Sequence, residues 1–296
     1  MSTRIAVEQP AARTDMPALA AALVTVTLWG SAFVAIRAAG ETLSPGALAL
    51  GRLLVSIVVL GTAAYIWREP LPARGDLLRL AVFGVLWLGV YSFTLNAAER
   101  RVDAGTAAMI INTGPILIAV LAGVFLREGF PRWLFAGCAV AFAGVVLIGL
   151  AKSDSSRSGL GFALLIVAAA AYATAVVIQK SVLARVTPLQ VTWLGCAAGT
   201  LACLPFAPQL LRELEDAGAA GTGWIVYLGL GPTALGFATH AYALRRMTAG
   251  RLASLSYLIP VVAIVFGWAL LGETPPMLAL AGGALCILGV YLARRR

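Results

Sequence analysis

Two proline-centred segments are the parts of this 296-residue chain whose residue types and spacing most suggest chemistry. Asn112-Thr113-Gly114-Pro115 and Tyr257-Leu258-Ile259-Pro260 each lie inside a long apolar stretch. A proline inside a helix removes one backbone hydrogen bond and bends the helix, which leaves a carbonyl one turn earlier free to bind a ligand or water. The pattern predicts either a ligand site with conformational hinges at Pro115 and Pro260, or bends that a membrane helix simply tolerates.

Aromatic and mildly polar side chains are expected near the middle of the apolar stretches, Trp87 among them. Rings hold a partly apolar solute by stacking, and an amide group can orient an amino or carboxylate group. Each ring can equally pack in the core or face lipid, and the single histidine can line a cavity or cap a helix end. The candidate substrate-binding residues are Trp29, Tyr91, Asn112, Tyr172, Phe237, His240 and Tyr257.

Ionisable side chains are almost absent from the interior of these stretches. No Asp or Glu lies near their middle, and Arg52 lies one to two turns inside the second. Because a charge in the bilayer is costly, Arg52 either extends its guanidinium to the surface, pairs with an acid in a loop, or contacts the substrate. The motifs of hydrolases, metalloproteases and P-loop NTPases are missing from the sequence. We therefore expect no enzymatic activity, no bound metal and no cofactor.

The elements that must position these residues are membrane helices. Hydrophobic residues make up 60% of the chain and charged residues 12%, about half the charged share of a soluble domain. One span needs roughly 20 apolar residues, and a helical bundle satisfies the backbone hydrogen bonds within lipid. The sequence predicts an all-α integral membrane protein with ten spans, at residues 18–36, 46–66, 77–97, 104–126, 133–150, 159–179, 189–206, 223–244, 250–271 and 277–293.

The two halves of the chain carry the same landmarks at an offset of 143 to 145 residues. Ala104-Gly105 corresponds to Ala249-Gly250, and Glu128 corresponds to Glu273. Because each half has five spans, the second half enters the membrane from the opposite side, as in transporters built from inverted repeats around a central cavity. The predicted organisation is a cytoplasmic N-terminal segment 1–15, a first five-helix repeat 16–150, a linker 151–158 and an inverted repeat 159–296.

The net charge of +9 is interpreted as a topology signal and not as a nucleic-acid footprint. If the N-terminus is cytoplasmic, fifteen Lys and Arg residues fall on the cytoplasmic side and six on the other. Cytoplasmic loops of membrane proteins carry the excess of positive charge, so both termini are predicted to be cytoplasmic. Residues 207–222 are expected to form a loop on the outer face. The four cysteines all fall within spans and are expected to pack as small apolar residues.

Short motifs in both halves resemble those of a known transporter family. They are Leu28-Trp29-Gly30-Ser31-Ala32-Phe33, Leu48-Ala49-Leu50-Gly51-Arg52, Ala104-Gly105-Thr106-Ala107-Ala108 with Pro115, Ala249-Gly250, Tyr257-Leu258-Ile259-Pro260 and Leu271-Gly272-Glu273. The whole chain resembles the ten-helix, EamA-type members of the drug/metabolite transporter superfamily, and within them the aromatic amino-acid exporter branch. The resemblance implies two inverted repeats around a central cavity, with Trp29, Asn112 and Tyr257 on cavity-forming helices.

The expected function is export of aromatic and other neutral amino acids by alternating access, as facilitated diffusion. The alternative is a broader drug or metabolite exporter coupled to protons. The resemblance also implies a location in the bacterial inner membrane. The expected partners are a small-molecule substrate and the lipid bilayer, and one chain should suffice because it carries both halves.

Overall fold

A computed structural model describes residues 15–99, 110–152, 159–271, 276–293 and 295, and the regular elements in these ranges are all helical. Six helical stretches are long and apolar enough to cross a membrane, by length and composition, and three shorter apolar helices accompany them. The stretch Pro188–Arg246 alone has 59 residues, far more than the roughly 20 that one crossing needs. The prediction of an all-helical fold is confirmed for the described ranges, and the long apolar helices are consistent with the predicted membrane protein.

The helices are named here in chain order. The α-helices are α1 (Met16–Ala39), α2 (Pro45–Ile66), α3 (Arg74–Gly84), α4 (Ser92–Glu99), α5 (Gly114–Phe125), α6 (Arg132–Lys152), α7 (Gly159–Val182), α8 (Pro188–Cys203), α9 (Ala207–Leu228), α10 (Gly236–Arg246), α11 (Ala249–Leu255), α12 (Ile259–Leu271) and α13 (Met277–Ala293). Short 3-10 segments at Leu204–Phe206 and Ser256–Leu258 precede α9 and α12.

Two helix starts at equivalent places in the halves are capped in the same way. Ser44 precedes the proline that begins α2, and its hydroxyl accepts a hydrogen bond from the Ala47 amide at 3.4 Å. Thr187 precedes the proline that begins α8, and Thr187 and Gln190 form a reciprocal capping box with distances of 2.7 and 3.1 Å. Proline fits the first helical turn, and the oxygen side chain satisfies an otherwise unpaired amide.

Two π-helical segments interrupt the helices at positions that differ by 144 residues. The first, Val85–Tyr91, joins α3 to α4, and the second, Gly229–Leu235, joins α9 to α10. A π segment widens the helix, and such segments often mark functional sites. Pro232 lies inside the second segment and cannot donate a backbone hydrogen bond, and the Thr233 hydroxyl donates to the Leu228 carbonyl at 2.7 Å. Both segments lie in spans that were expected to be regular helices.

Helices α6 and α13 pack along their length in antiparallel directions through glycines. Gly137 lies against Gly289, and Gly144 lies against Gly282. A Cβ atom on Gly144 would lie 2.5 Å from the Gly282 carbonyl oxygen, so only glycine allows this approach. Small residues at such interfaces let two membrane helices pack backbone against backbone. We call these four residues the glycine contact.

The prediction of an outer loop at residues 207–222 is wrong, because these residues belong to α9. Leu210 and Ala217 are buried at helical spacing, which explains why this acidic segment folds as a helix. Glu213 ties it to the first half, because its carboxylate accepts a hydrogen bond from the Ser44 amide at 2.7 Å. Gly218 marks a kink, with a φ of 60° that suits glycine.

Candidate substrate-binding site

Five rings meet where α1, the first π segment, α7 and α10 approach one another. Trp87 is at the centre, with its ring centroid 4.9 Å from those of Tyr172 and Phe237, 5.2 Å from that of His240 and 5.8 Å from that of Trp29. We call Trp29, Trp87, Tyr172, Phe237 and His240 the ring cluster. It draws two residues from the first half of the chain and three from the second.

Trp29 is held in the ring cluster by both its indole nitrogen and its ring face. Its Nε1–H donates a hydrogen bond to the Pro232 carbonyl of the second π segment at 3.1 Å. Its ring stacks on His240 with centroids 5.2 Å apart and planes 28° apart. Gly236 makes this approach possible, because a Cβ atom there would lie 2.9 Å from the indole nitrogen. The position of Trp29 therefore depends directly on the conformation of the second π segment.

Hydroxyl groups connect α1 to the second half beside the ring cluster. The Thr25 and Thr239 hydroxyls are 2.8 Å apart, and the Ser31 and Tyr227 hydroxyls are 2.6 Å apart. Hydrogen bonds between membrane helices are worth roughly 0.6 kcal/mol each on average, so these contacts orient the helices without locking them.

Tyr91 lies next to the ring cluster, and the start of α5 packs against Tyr172 of that cluster. The Tyr91 ring is 5.8 Å from that of Tyr172. Gly114 lies so close to Tyr172 that a Cβ atom on it would be 2.7 Å from the ring. Asn112, partly buried and two residues earlier, lies in the turn that precedes α5. Trp87 thus joins two groups of predicted residues, Trp29, Phe237 and His240 on one side and Tyr172 with Tyr91 on the other. Asn112 is two residues before Gly114, which contacts Tyr172.

Tyr257 lies in the 3-10 segment before α12. It is 0% exposed, and its hydroxyl lies within electrostatic range of Tyr172 in the ring cluster, of Cys138 on α6 and of Cys286 on α13. Within the described ranges its hydroxyl has no hydrogen-bond partner and its ring makes no ring contact. All four cysteines are buried free thiols, as predicted.

The predicted helix breaks are present at both prolines. Asn112 and Thr113 form a turn before α5, in which Pro115 lies in the first turn. The 3-10 segment Ser256–Leu258 likewise precedes Pro260, the second residue of α12. The backbone therefore changes its helical geometry just before each proline, while the role of the prolines as hinges stays a prediction.

Several buried polar or aromatic residues of this region were missed as site residues. Trp87 was expected only near the midplane, although Phe83 one turn earlier contacts it edge-on and signals an aromatic face. Gln179 is fully buried on α7, and the described residues offer its amide no hydrogen-bond partner. Lys180 is partly buried, and its ammonium donates to the carbonyls of Leu244 and Met247 at the end of α10, at 2.5 and 2.6 Å. A helix end is a natural site for a cation.

The ends of the helices carry charged contacts between the halves. The Glu128 carboxylate accepts hydrogen bonds from the amides of Ala249 and Gly250 at 2.9 and 3.4 Å, so it is a helix-end contact. The equivalent Glu273 lies outside the described residues. Asp76 accepts three hydrogen bonds from Arg185, at 3.1, 3.0 and 2.6 Å, and this bonding raises the pKa of the Arg185 guanidinium above its ordinary value. Among the described residues, no group of three His, Cys, Asp or Glu side chains is close enough to hold a metal ion.

Comparison with known proteins identifies the family. The EamA-like transporter family model matches residues 16–150 and again residues 159–295. The chain belongs to this family. It is a multi-pass membrane transporter of the drug/metabolite transporter superfamily, and such proteins move small molecules.

Relatives of this EamA-like transporter match it over nearly their whole length. A "Probable terminal-alkyne amino-acid exporter" of Streptantibioticus cattleyicolor is 38% identical, covering 93% of each chain. The "Uncharacterized transporter YdfC" of Bacillus subtilis is 33% identical, over 90% of this chain and 87% of its own. A "Probable amino-acid metabolite efflux pump" of Salmonella typhimurium is 27% identical, over 92% of each. A solved crystal structure 20% identical shares the fold, with a TM-score of 0.81 over 94% of this chain and 96% of that one.

Proposed function

We propose that this transporter exports aromatic and other neutral amino acids across the bacterial inner membrane by alternating access. The ring cluster carries the proposal, because it places four rings from both halves of the chain around Trp87. Aromatic faces suit a solute with a ring or an apolar side chain, and they also attract an amino group. The names of two relatives, an amino-acid exporter and an amino-acid metabolite efflux pump, support the same substrate class.

The proposed architecture is ten spans in two inverted five-helix repeats, residues 16–150 and 159–296, joined by 151–158. The matched π segments and the matched caps of α2 and α8 support a repeat. The glycine contact supports an inversion, since a shift of 145 residues turns Gly137 into Gly282 and Gly144 into Gly289. When the shift is applied forward to Gly144 and backward to Gly282, the pair Gly144–Gly282 becomes the pair Gly289–Gly137. A contact that maps onto itself in this way is typical of a two-fold axis.

The proposed substrate-binding residues are the ring cluster together with Tyr91, Asn112 and Tyr257, and the proposed hinges are at Pro115 and Pro260. Ring centroids 4.9 to 5.8 Å apart are already in contact, so a substrate has to replace some of these contacts by separating the helices that carry them. Breaks before Pro115 and Pro260 and the two π segments provide the bending points. The substrate-binding set is Trp29, Trp87, Tyr91, Asn112, Tyr172, Phe237, His240 and Tyr257.

The orientation in the membrane follows from charge. The excess of Lys and Arg on one side supports cytoplasmic N- and C-termini. Both halves that build the ring cluster come from the same chain, which supports a functional monomer. No step of this transport needs enzymatic chemistry or a cofactor.

Counterflow of labelled L-phenylalanine in proteoliposomes containing the purified protein tests the proposal. We expect saturable flux that falls by about tenfold or more in Trp29→Ala, because a ring contact and a hydrogen bond are both lost. Asn112→Ala and Tyr257→Ala should also lower flux while the protein still purifies. Trp268→Ala is the matched control, since this tryptophan is 59% exposed on α12. Flux of lipophilic drugs without phenylalanine flux would favour the broader exporter, and unchanged flux in all three variants would remove the site assignment.

A further inference from the structure

Arg52 is a basic residue inside the helical bundle, seven residues after the start of α2. It is partly buried. Its guanidinium lies within electrostatic range of the Cys196 and Cys203 thiols on α8 and of the Tyr91 hydroxyl at the end of the first π segment. Both thiols are buried on α8, the helix against which α2 packs. Arg52 therefore lies on the side of α2 that faces α8.

The Arg52 guanidinium has no protein anion beside it among the residues that the structure describes. It makes no hydrogen bond and no ion pair there, and no acidic side chain is among the groups that act on it electrostatically. The pairing with a loop acid that the sequence allowed is therefore not found in those ranges. A charge inside a membrane bundle is costly unless an anion compensates it, so such a residue marks a functional site by default.

Tyr91 connects Arg52 to the ring cluster. The Tyr91 ring lies 5.8 Å from Tyr172, and Tyr172 lies 4.9 Å from Trp87. Arg52 is seven residues from the start of α2, and Tyr91 is eight residues from the end of α4. The start of α2 and the end of α4 lie on the same side of the membrane if each span crosses it once. At about 1.5 Å per residue, both lie about 10 to 12 Å below that side. The cationic Arg52 and the aromatic ring of Tyr91 are thus neighbours at about the same depth in the membrane.

We infer that Arg52 binds the α-carboxylate of the exported amino acid while the substrate side chain lies on the ring cluster. This inference rests on the proposed function and adds the residue that recognises the charged end of the substrate. A guanidinium offers two parallel N–H donors that match a carboxylate. A phosphorylated metabolite with two negative charges would need a second cation. Among the described side chains, Lys180 is the other basic residue that is partly buried in a span, and it already donates to the Leu244 and Met247 carbonyls.

The test compares two ligands that differ in the carboxylate, at a mildly acidic pH at which the amino group of both is protonated. Calorimetric titration measures the affinity of the purified transporter for L-phenylalanine and for L-phenylalaninamide, which keeps the ring and the amino group but carries a neutral amide. We expect the wild-type protein to bind phenylalanine about 10- to 100-fold more tightly, the usual effect of a hydrogen-bonded charge pair. In Arg52→Gln this preference should vanish through loss of phenylalanine affinity alone. Arg52→Lys should restore part of it, and Arg212→Gln, at an exposed arginine of α9, should leave it unchanged.

Each outcome separates this inference from the proposed function. If wild-type protein binds both ligands equally, or if Arg52→Gln keeps the wild-type preference, the inference is wrong while amino-acid export stands. If Arg52→Gln weakens both ligands equally, Arg52 is structural and the inference is again wrong. If wild-type protein neither binds nor transports phenylalanine, the proposed function itself fails. The wild-type comparison remains decisive even where Arg52→Gln does not fold.

Discussion

The two halves of the molecule touch in two very different ways, at the glycine contact and at the ring cluster. In the glycine contact the backbones of α6 and α13 meet directly, and there is no side chain that could adopt another rotamer. In the ring cluster, large side chains meet beside two π segments, and one of them, Trp29, is held by ring contacts and by one hydrogen bond to a π-segment carbonyl. Close-packed backbones cannot separate without leaving a void, whereas ring contacts can be exchanged for contacts with a substrate. We infer that α6 and α13 are the fixed support and that the helices around the ring cluster move.

The largest effect is expected for Gly144→Leu in the glycine contact. A Cβ atom at this position would already meet the Gly282 carbonyl at 2.5 Å and the Cys286 sulfur at 2.9 Å, so a whole leucine side chain cannot fit. We expect no monodisperse folded protein on size-exclusion chromatography, and for Gly144→Ala a destabilisation of about 1–3 kcal/mol. Heating followed by chromatography measures both.

Gly61→Leu on α2 is the matched control for this prediction. A Cβ atom at Gly61 would have nothing within 4 Å, so the same substitution adds only exposed apolar surface in a span. Equal thermal stability of Gly144→Leu and Gly61→Leu would show that α6 and α13 are not the fixed support. The proposed difference between the glycine contact and the ring cluster would then be wrong.

A smaller effect is expected for Trp29→Phe, which tests the ring cluster instead of the glycine contact. Phenylalanine keeps a ring beside His240 but removes the N–H that donates to the Pro232 carbonyl. The loss of one such hydrogen bond costs about 1 kcal/mol of stability, so the melting temperature should change little. Phenylalanine counterflow should nevertheless fall several-fold, because the orientation of the ring depends on that bond.

Trp268→Phe, at an exposed tryptophan of α12, controls for the loss of any indole group. The ring cluster would have to be regarded as a static core if Trp29→Phe lowered stability as much as Gly144→Ala and left counterflow unchanged.

The sequence predicts the helices and the residues of the ring cluster better than it predicts their partners. Apolar runs of about 20 residues and prolines with hydroxyl caps are local signals, so α1, α2 and α8 begin and end near their predicted positions. The helix at residues 207–222 was missed because its buried residues are few and its composition is that of a loop. The π segments were missed because their geometry depends on neighbouring helices. For the same reason, neither the lack of a ring contact at Tyr257 among the described residues nor the central place of Trp87 could be predicted from spacing alone.

The smallest effect is expected for Glu128→Gln, at a contact that belongs to neither region. This carboxylate caps the two amides that begin α11 in the second half, and it therefore joins the halves at a helix end by hydrogen bonds that water can replace. Glutamine keeps an acceptor oxygen and loses only the interaction of the charge with the helix dipole, worth about 0.3–1 kcal/mol, whereas Glu128→Ala loses the cap and about 1 kcal/mol.

If this end of the molecule opens during transport, both variants should raise the rate at which a Thr248→Cys thiol, exposed next to the cap, reacts with a membrane-impermeant label. Alanine should raise the rate more than glutamine, in proportion to the lost stabilisation. Identical labelling rates in wild type and Glu128→Ala would mean that the capped helix end stays closed throughout the cycle, and that the moving region extends no farther than the ring cluster.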